Sequence, residues 1–217
     1  MKARYQIFIS STFADLREER LAISKALLDM GHIPSGMELF PATDTEQLTY
    51  IKKVIDECDY YILVIGGRYG STDAVGISYT EREYDYAVES GKTVLAFLHE
   101  NPDELKVINT DRDQDKAEKL AAFLARVKEG RLVRFWSTST DLVAQAIVSL
   151  THAISEFPQP GWIRANMVPS EATLSELIAL REQNEKLRKA QSAQIDKVPD
   201  RFEDVATLDA KKVVSFK

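Results

Sequence analysis

Apolar runs of strand length alternate with segments whose apolar residues recur every three or four positions, and this continues through the first two-thirds of the chain. Such spacing predicts strand and helix in series. "YQIFIS" (Tyr5 to Ser10) reads as the first strand. The helix after it begins near Asp15, turns Leu16, Ile23, Leu27 and Met30 inward, and stops at Gly31. A short edge-like segment around "IPSGME" comes next. "TEQLTYIKKVIDECD" predicts a second helix with Leu48, Ile51, Val54, Ile55 and Cys58 inward. "YYILVIGG" is the most apolar strand and expects cover on both faces. "SYTEREYDYAVESG" predicts a third helix closed by Gly91, and "KTVLAFLHE" a fourth strand. The charged, poorly periodic stretch from Asn101 to Asp115 reads as a surface insertion before the helix "KAEKLAAFLARVKEG". "LVRFW" supplies a fifth strand, and "TSTDLVAQAIVSLTHAISEF" closes the series with Asp141, Leu142, Ala146, Ile147, Leu150 and Ile154 as its stripe.

Connections this short leave no room for separate domains, so the pattern predicts a three-layer α/β domain with a mostly parallel sheet. Ligands of such sheets bind beyond the carboxyl ends of the strands, at the switch in strand order. That rule gathers Ser10 to Phe13, the loop after "VIGG" and the entry to the third helix on one rim. "PQPGW" breaks the pattern at residues 158 to 162. The reading is therefore a domain over 1–157, a linker over 158–169, a helix over 170–192 and a flexible tail over 193–217. In that helix Leu177, Leu180, Asn184 and Leu187 follow 3-4-3 spacing, a short a/d seam whose Asn184 can set the register of a parallel pair. Packing on the chain's own domain fits the same spacing.

Composition narrows the partners. A formal charge of -6 over 217 residues disfavours a general nucleic-acid or anionic-membrane binder, since both need concentrated positive charge. The lone cysteine, Cys58, excludes an intramolecular disulfide and fits a reducing compartment. The apolar run in "MKARYQIFIS" is too short for a signal sequence or a membrane span of roughly 20 residues. A cytoplasmic location is the expectation. His32, His99 and His152 lack metal-ligand spacing, so no metal site is expected. No P-loop, G-x-G-x-x-G or G-x-S-x-G motif occurs, which leaves Ser71 and Ser78 as weak nucleophile candidates. The aromatics Tyr5, Phe8, Tyr60, Tyr61, Phe97, Phe135 and Trp136 lie in strand-like runs and read as core.

Candidate chemistry concentrates on the rim. Asp15 and Glu18 have the spacing of a capping box at the first helix start. Ser10, Ser11 and Thr12 either satisfy backbone groups at the strand exit or, with Phe13, line a phosphate or ribose site beside a helix N-terminus. Arg20 shares the inward face with Leu16, Ile23 and Leu27, where it demands a partner: a carboxylate in a structural ion pair, or an acidic catalytic group or ligand phosphate that it positions. Arg68 and Tyr69, among the glycines of "GGRYGS", suit a surface loop or a contact to a nucleotide. Glu83 shares a helical face with Thr80 and Ala87 and points along the rim; a carboxylate there stabilises, or attacks, a ribose anomeric carbon as a base departs. Ser78 with Glu81, or Thr80 with Glu83, also fits a capping box. Glu38 in "GMELFP" is a second candidate carboxylate, structural or ligand-positioning.

"FISSTFADLREER", the strand leading to "GGRYGS", and "ISYTEREYDYAVESGKTVLAFL" resemble the DUF4062 family, a Toll/interleukin-1 receptor (TIR)-like group of bacterial proteins, over about residues 4 to 155. The resemblance implies a flavodoxin-like sheet of five parallel strands in order 2-1-3-4-5. TIR enzymes hydrolyse NAD at the nicotinamide glycosidic bond with a glutamate, and related nucleoside deoxyribosyltransferases use one as nucleophile. Glu83 is similar to that glutamate, and Ser10 to Phe13 to the loop beside the NAD pocket. Tyr79 in "SYTERE" stands where the TIR pattern has tryptophan. The resemblance thus implies an NAD-cleaving effector in bacterial defence, with NAD as substrate and no cofactor. A noncatalytic oligomerisation or signalling module and a base-exchange enzyme are the alternatives. The resemblance also implies self-association through the domain and terminal helix, and an unidentified sensor protein as partner.

Overall fold

The computed structural model describes residues 3–36, 47–102, 105, 110–111, 113–165 and 170–195. It contains two units, Met1–Ile163 and Arg164–Lys217. In the first, strands β1 (Gln6–Ser10), β2 (Ile33–Ser35), β3 (Tyr60–Ile65), β4 (Thr93–His99) and β5 (Arg134–Trp136) alternate with helices α1 (Arg17–Asp29), α2 (Gln47–Glu57), α3 (Tyr79–Glu89), α4 (Gln114–Lys128) and α5 (Ser139–Glu156). All four strand pairings are parallel, in the order β2-β1-β3-β4-β5, so the sheet is flavodoxin-like as the sequence led one to expect.

β3 shows why the sheet needs cover on both sides. All six of its residues are buried. Tyr61, Leu63 and Ile65 enter one core with Phe8, Ile51, Ile55, Tyr84, Ala87, Phe123 and Val127, so α2, α3 and α4 cover that face. Tyr60, Ile62 and Val64 enter the other with Ile7, Ile9, Ile23, Leu27, Leu142, Ala146 and Leu150 beneath α1 and α5. Alternation along a strand divides its side chains between the layers. Phe135 departs from its expected core place. It is 47% exposed on the last strand of the sheet, with Lys128 Nζ 5.6 Å from its ring centroid.

The stretch expected as a linker is partly bound to the domain. Arg4 and Trp162 form an antiparallel bridge, and Asp59 accepts from the backbone N–H of Gln6 (2.8 Å) and of Gly161 (3.2 Å). The first unit accordingly runs to Ile163. In the second, α6 (Glu171–Ile195) is the described element, with Leu177, Leu180 and Leu187 exposed. The expected tail lies outside the described residues from 196 onward. Among the described residues no helix is long and apolar enough to cross a membrane.

Candidate functional site

β1 and β3 run parallel and end at the same edge of the sheet, where β1 passes into Ser11–Leu16 and β3 into Gly66–Ser71. α3 starts at this edge. Ser78 is its N-cap, accepting from Glu81 N–H at 3.1 Å, which settles the choice between the two capping patterns and leaves Glu83 outside the cap. Thr80, Glu83, Tyr84 and Ala87 form the buried face of α3, the face that helical spacing predicts. Glu83 is 2% exposed, and Ser10 donates its hydroxyl to Glu83 Oε2 at 2.5 Å. The end of the first strand and the candidate glutamate therefore meet, although 73 residues separate them in sequence. Tyr61 of β3 shares a core cluster with Tyr84 and Ala87 of that face, and its phenol pKa stands well above the ordinary range because of burial first and the Glu83 charge second, with Ser10 partly offsetting them.

Arg20 is buried, as its place on the inward stripe required. Its Nη1 donates to Ser11 Oγ at 2.9 Å and reaches Ser11 O at 3.5 Å, while the Ser11 hydroxyl donates to Thr12 O at 3.0 Å. The guanidinium thereby fixes the course of the chain as it leaves β1.

Above this layer lies a cavity of about 390 Å³, within the range of small-molecule sites. The β1 loop (Ser11 to Asp15), Arg68, Gly70 and Ser71, the helix start at Tyr79 and Thr80, Gln47, Asp111 and Lys116 line it. Close backbone approach makes the space. Gly70 has φ +92°, and a Cβ there would stand 2.7 Å from Thr12 Cγ2. A Cβ on Gly66 would stand 3.1 Å from Leu16 Cδ2 and 3.2 Å from Asp15 Oδ2.

The sequence profile of a family described as a domain of unknown function, DUF4062, matches residues 6–151. The chain belongs to the DUF4062 family. No curated protein matches it. Among solved structures it is similar to the CMP N-glycosidase BcmB of Clostridium botulinum, at 15% identity over 66% of this chain and 98% of that one, with a TM-score of 0.41. The TIR domains of the activated Roq1 resistosome, which directly recognises the pathogen effector XopQ, share 15% identity over 81% of this chain and 99% of theirs, with a TM-score of 0.39. A probable GTP-binding protein, engB, shares 12% identity over 70% and 99% respectively, with a TM-score of 0.43. Likeness of this degree carries no statement about activity.

Within the DUF4062 domain the expected rim residues fall into three groups. Ser11, Thr12, Phe13 and Arg68 line the cavity. Ser10 and Glu83 are buried together against α3, and Arg20 is buried on α1, on the other face of the sheet, against Ser11. Tyr69 points away from it into the core, where its phenol donates to Glu81; burial first, and then that bond, push its pKa up to about 12. Glu38 lies outside the described residues.

Asp15 is a correction. α1 begins at Arg17, its N-cap is Leu16, and no side chain caps it, so Asp15 is not the helix cap its spacing predicts. It lines the cavity instead, with its carboxyl pKa above the ordinary 3.8. Burial is the largest cause, with Asp111 adding to it; Thr12, the Asp15 backbone and Arg68 pull the other way. The Thr12 hydroxyl acts on it by proximity, since no bond of hydrogen-bonding geometry joins the two. Asp111 and Lys116 gave no sequence signal. Asp111 Oδ2 accepts from Tyr69 N–H at 2.7 Å and Gly70 N–H at 3.4 Å, and Lys116 Nζ donates to Gly70 O at 2.9 Å. Together they hold the β3 loop from the far side. Among the described residues no cluster of three or more His, Cys, Asp or Glu is placed to hold a metal.

Proposed function

We propose that this DUF4062 domain cleaves the bond between nicotinamide and ribose in NAD, which is its substrate and not a cofactor. The observation that carries the reading is the Ser10–Glu83 pair, set one residue behind Ser11 and one helical turn beyond Thr80, two residues of the cavity wall. Glu83 either stabilises the oxocarbenium-like ribose as nicotinamide leaves or bonds transiently to its anomeric carbon, and water completes hydrolysis. Ser10 orients the carboxylate. Arg68 and Lys116 are the cavity cations suited to phosphate oxygens.

At 2% exposure Glu83 reaches the anomeric carbon only when the Ser11–Thr80 wall parts, so activity depends on a conformational step, which self-association can supply. The test incubates the full chain with NAD across a range of protein concentrations and follows free nicotinamide. Glu83→Gln is expected to reduce release by about 10²–10⁴-fold. Equal release by wild type and E83Q would remove Glu83 from the chemistry.

A second reading rests on the same burial. The Ser10–Glu83 and Arg20–Ser11 contacts also close the rim as a structural network, which suits a noncatalytic interaction module. That reading expects no nicotinamide release at any protein concentration, with a lower Tm for E83Q as its only effect.

A further inference from the structure

Asp15 has no structural employment of the kind its position offers. It precedes a helix, yet α1 starts without a side-chain cap. Its two carboxyl oxygens are shielded from solvent, although the residue faces a cavity. Gly66 gives it room, since any side chain there would press on Asp15 Oδ2. The charged groups that face it are Arg68 and Asp111, with Lys116 on the same cavity wall. A carboxylate kept from water by burial holds its proton to higher pH, and groups so placed in clefts commonly serve proton transfer.

Nicotinamide leaves NAD as a neutral molecule from a cationic pyridinium, so its departure needs no added proton. A purine or pyrimidine in a nucleoside phosphate leaves as an anion unless it is protonated. A shielded acid is redundant for the first substrate and useful for the second. We propose that Asp15 is a general acid that protonates the departing base, and that the site also hydrolyses nucleoside 5′-phosphates whose neutral base needs that proton. The inference rests on the Glu83 reading above. In the reaction the Asp15 carboxyl gives its proton to a base nitrogen or oxygen, and the C1′–N bond breaks with its electron pair going to the base. Glu83 meets the cationic C1′. Water then adds to C1′ and returns a proton to Asp15, so a nucleotide and one water yield a base and a sugar phosphate.

The experiment measures base release from adenosine and uridine 5′-monophosphates and nicotinamide release from NAD, using the full-length wild type, D15N, D15E and E83Q. Wild type is expected to release adenine and uracil at a rate that falls as pH rises through the Asp15 titration. In D15N these rates drop by about 10²-fold or more and the pH limb disappears, while nicotinamide release falls by less than tenfold; D15E recovers part of the loss. E83Q loses all three activities. Thermal melts of each variant establish folding. If D15N loses base and nicotinamide release equally, or loses neither, Asp15 is not the acid. If wild type releases nicotinamide in a Glu83-dependent way but neither base, this inference fails and the NAD reading stands. If wild type releases none of the three, both fail.

Discussion

Asp15 ties stability to pH in a direction opposite to that of most surface carboxylates. Burial raises its pKa in the folded chain above 3.8, so the folded state binds this proton more tightly than the unfolded state does. The resulting stabilisation is fully present below the ordinary aspartate range and is lost as pH rises through the folded value. At neutral pH the ionised group weakens the fold. Asp15→Asn is therefore expected to raise Tm at pH 7, by about 2–4 °C for each kcal/mol recovered, and to lose that advantage near pH 3.5. Equal melting of D15N and wild type at pH 7 would mean that folding does not raise the Asp15 pKa. A stability cost at Asp15 would accord with the acid role proposed for it, since residues kept for activity often weaken a fold. Glu83 was legible because periodicity alone places it with Thr80 and Ala87 on one face of α3. Asp15 was misread because its spacing to Glu18 satisfies a local rule, whereas its surroundings come from the Gly66–Arg68 loop and Asp111, far along the chain.

At the scale of elements, the cavity exists because the loops after β1 and β3 approach to a distance that only glycine permits at position 70. Two effects are joined there: a left-handed backbone at φ +92°, and the 2.7 Å gap between a Cβ and Thr12 Cγ2. Gly70→Ala is expected to destabilise by roughly 1–2 kcal/mol from the backbone alone, with the contact adding to it. Thr12→Ser deletes Cγ2 and relieves the contact but not the backbone. The double variant G70A/T12S should therefore be more stable than the sum of the single changes, by about 0.5–1 kcal/mol in chemical denaturation. Strict additivity would show that the loops move apart freely. Strands and helices were legible throughout this unit because each carries its period within ten to twenty residues. The 101–115 stretch was not. It reads as a charged surface insertion, yet its Asp111 supports the β3 loop through two backbone bonds, a role set by tertiary contact and not by pattern.

At the scale of the whole molecule, the chemistry proposed for the buried Glu83 needs a trigger, and α6 carries the features of an assembly element. Leu177, Leu180 and Leu187 are 48%, 54% and 62% exposed along a helix of 25 residues, so the seam expected from the sequence is available to a second copy. With Leu177 and Asn184 at a, and Leu180 and Leu187 at d, Glu176 occupies g and Arg181 the following e. In a parallel pair these two oppose each other across both sides of the seam, and Asn184 meets its own copy, which favours that register at some cost in stability. An antiparallel pair sets e against e, bringing arginines 181 and 188 toward one another. The solution mass of the full chain should therefore rise with concentration toward a dimer. Glu176→Arg should weaken the dimer at low salt, and the charge-reversed pair E176R/R181E should restore it. Leu180→Asp with Leu187→Asp should leave a monomer at all concentrations, and nicotinamide release by that variant should lose its dependence on protein concentration. A mass unaffected by E176R would refute the parallel arrangement, and a dimer that survives L180D/L187D would take assembly away from α6 altogether.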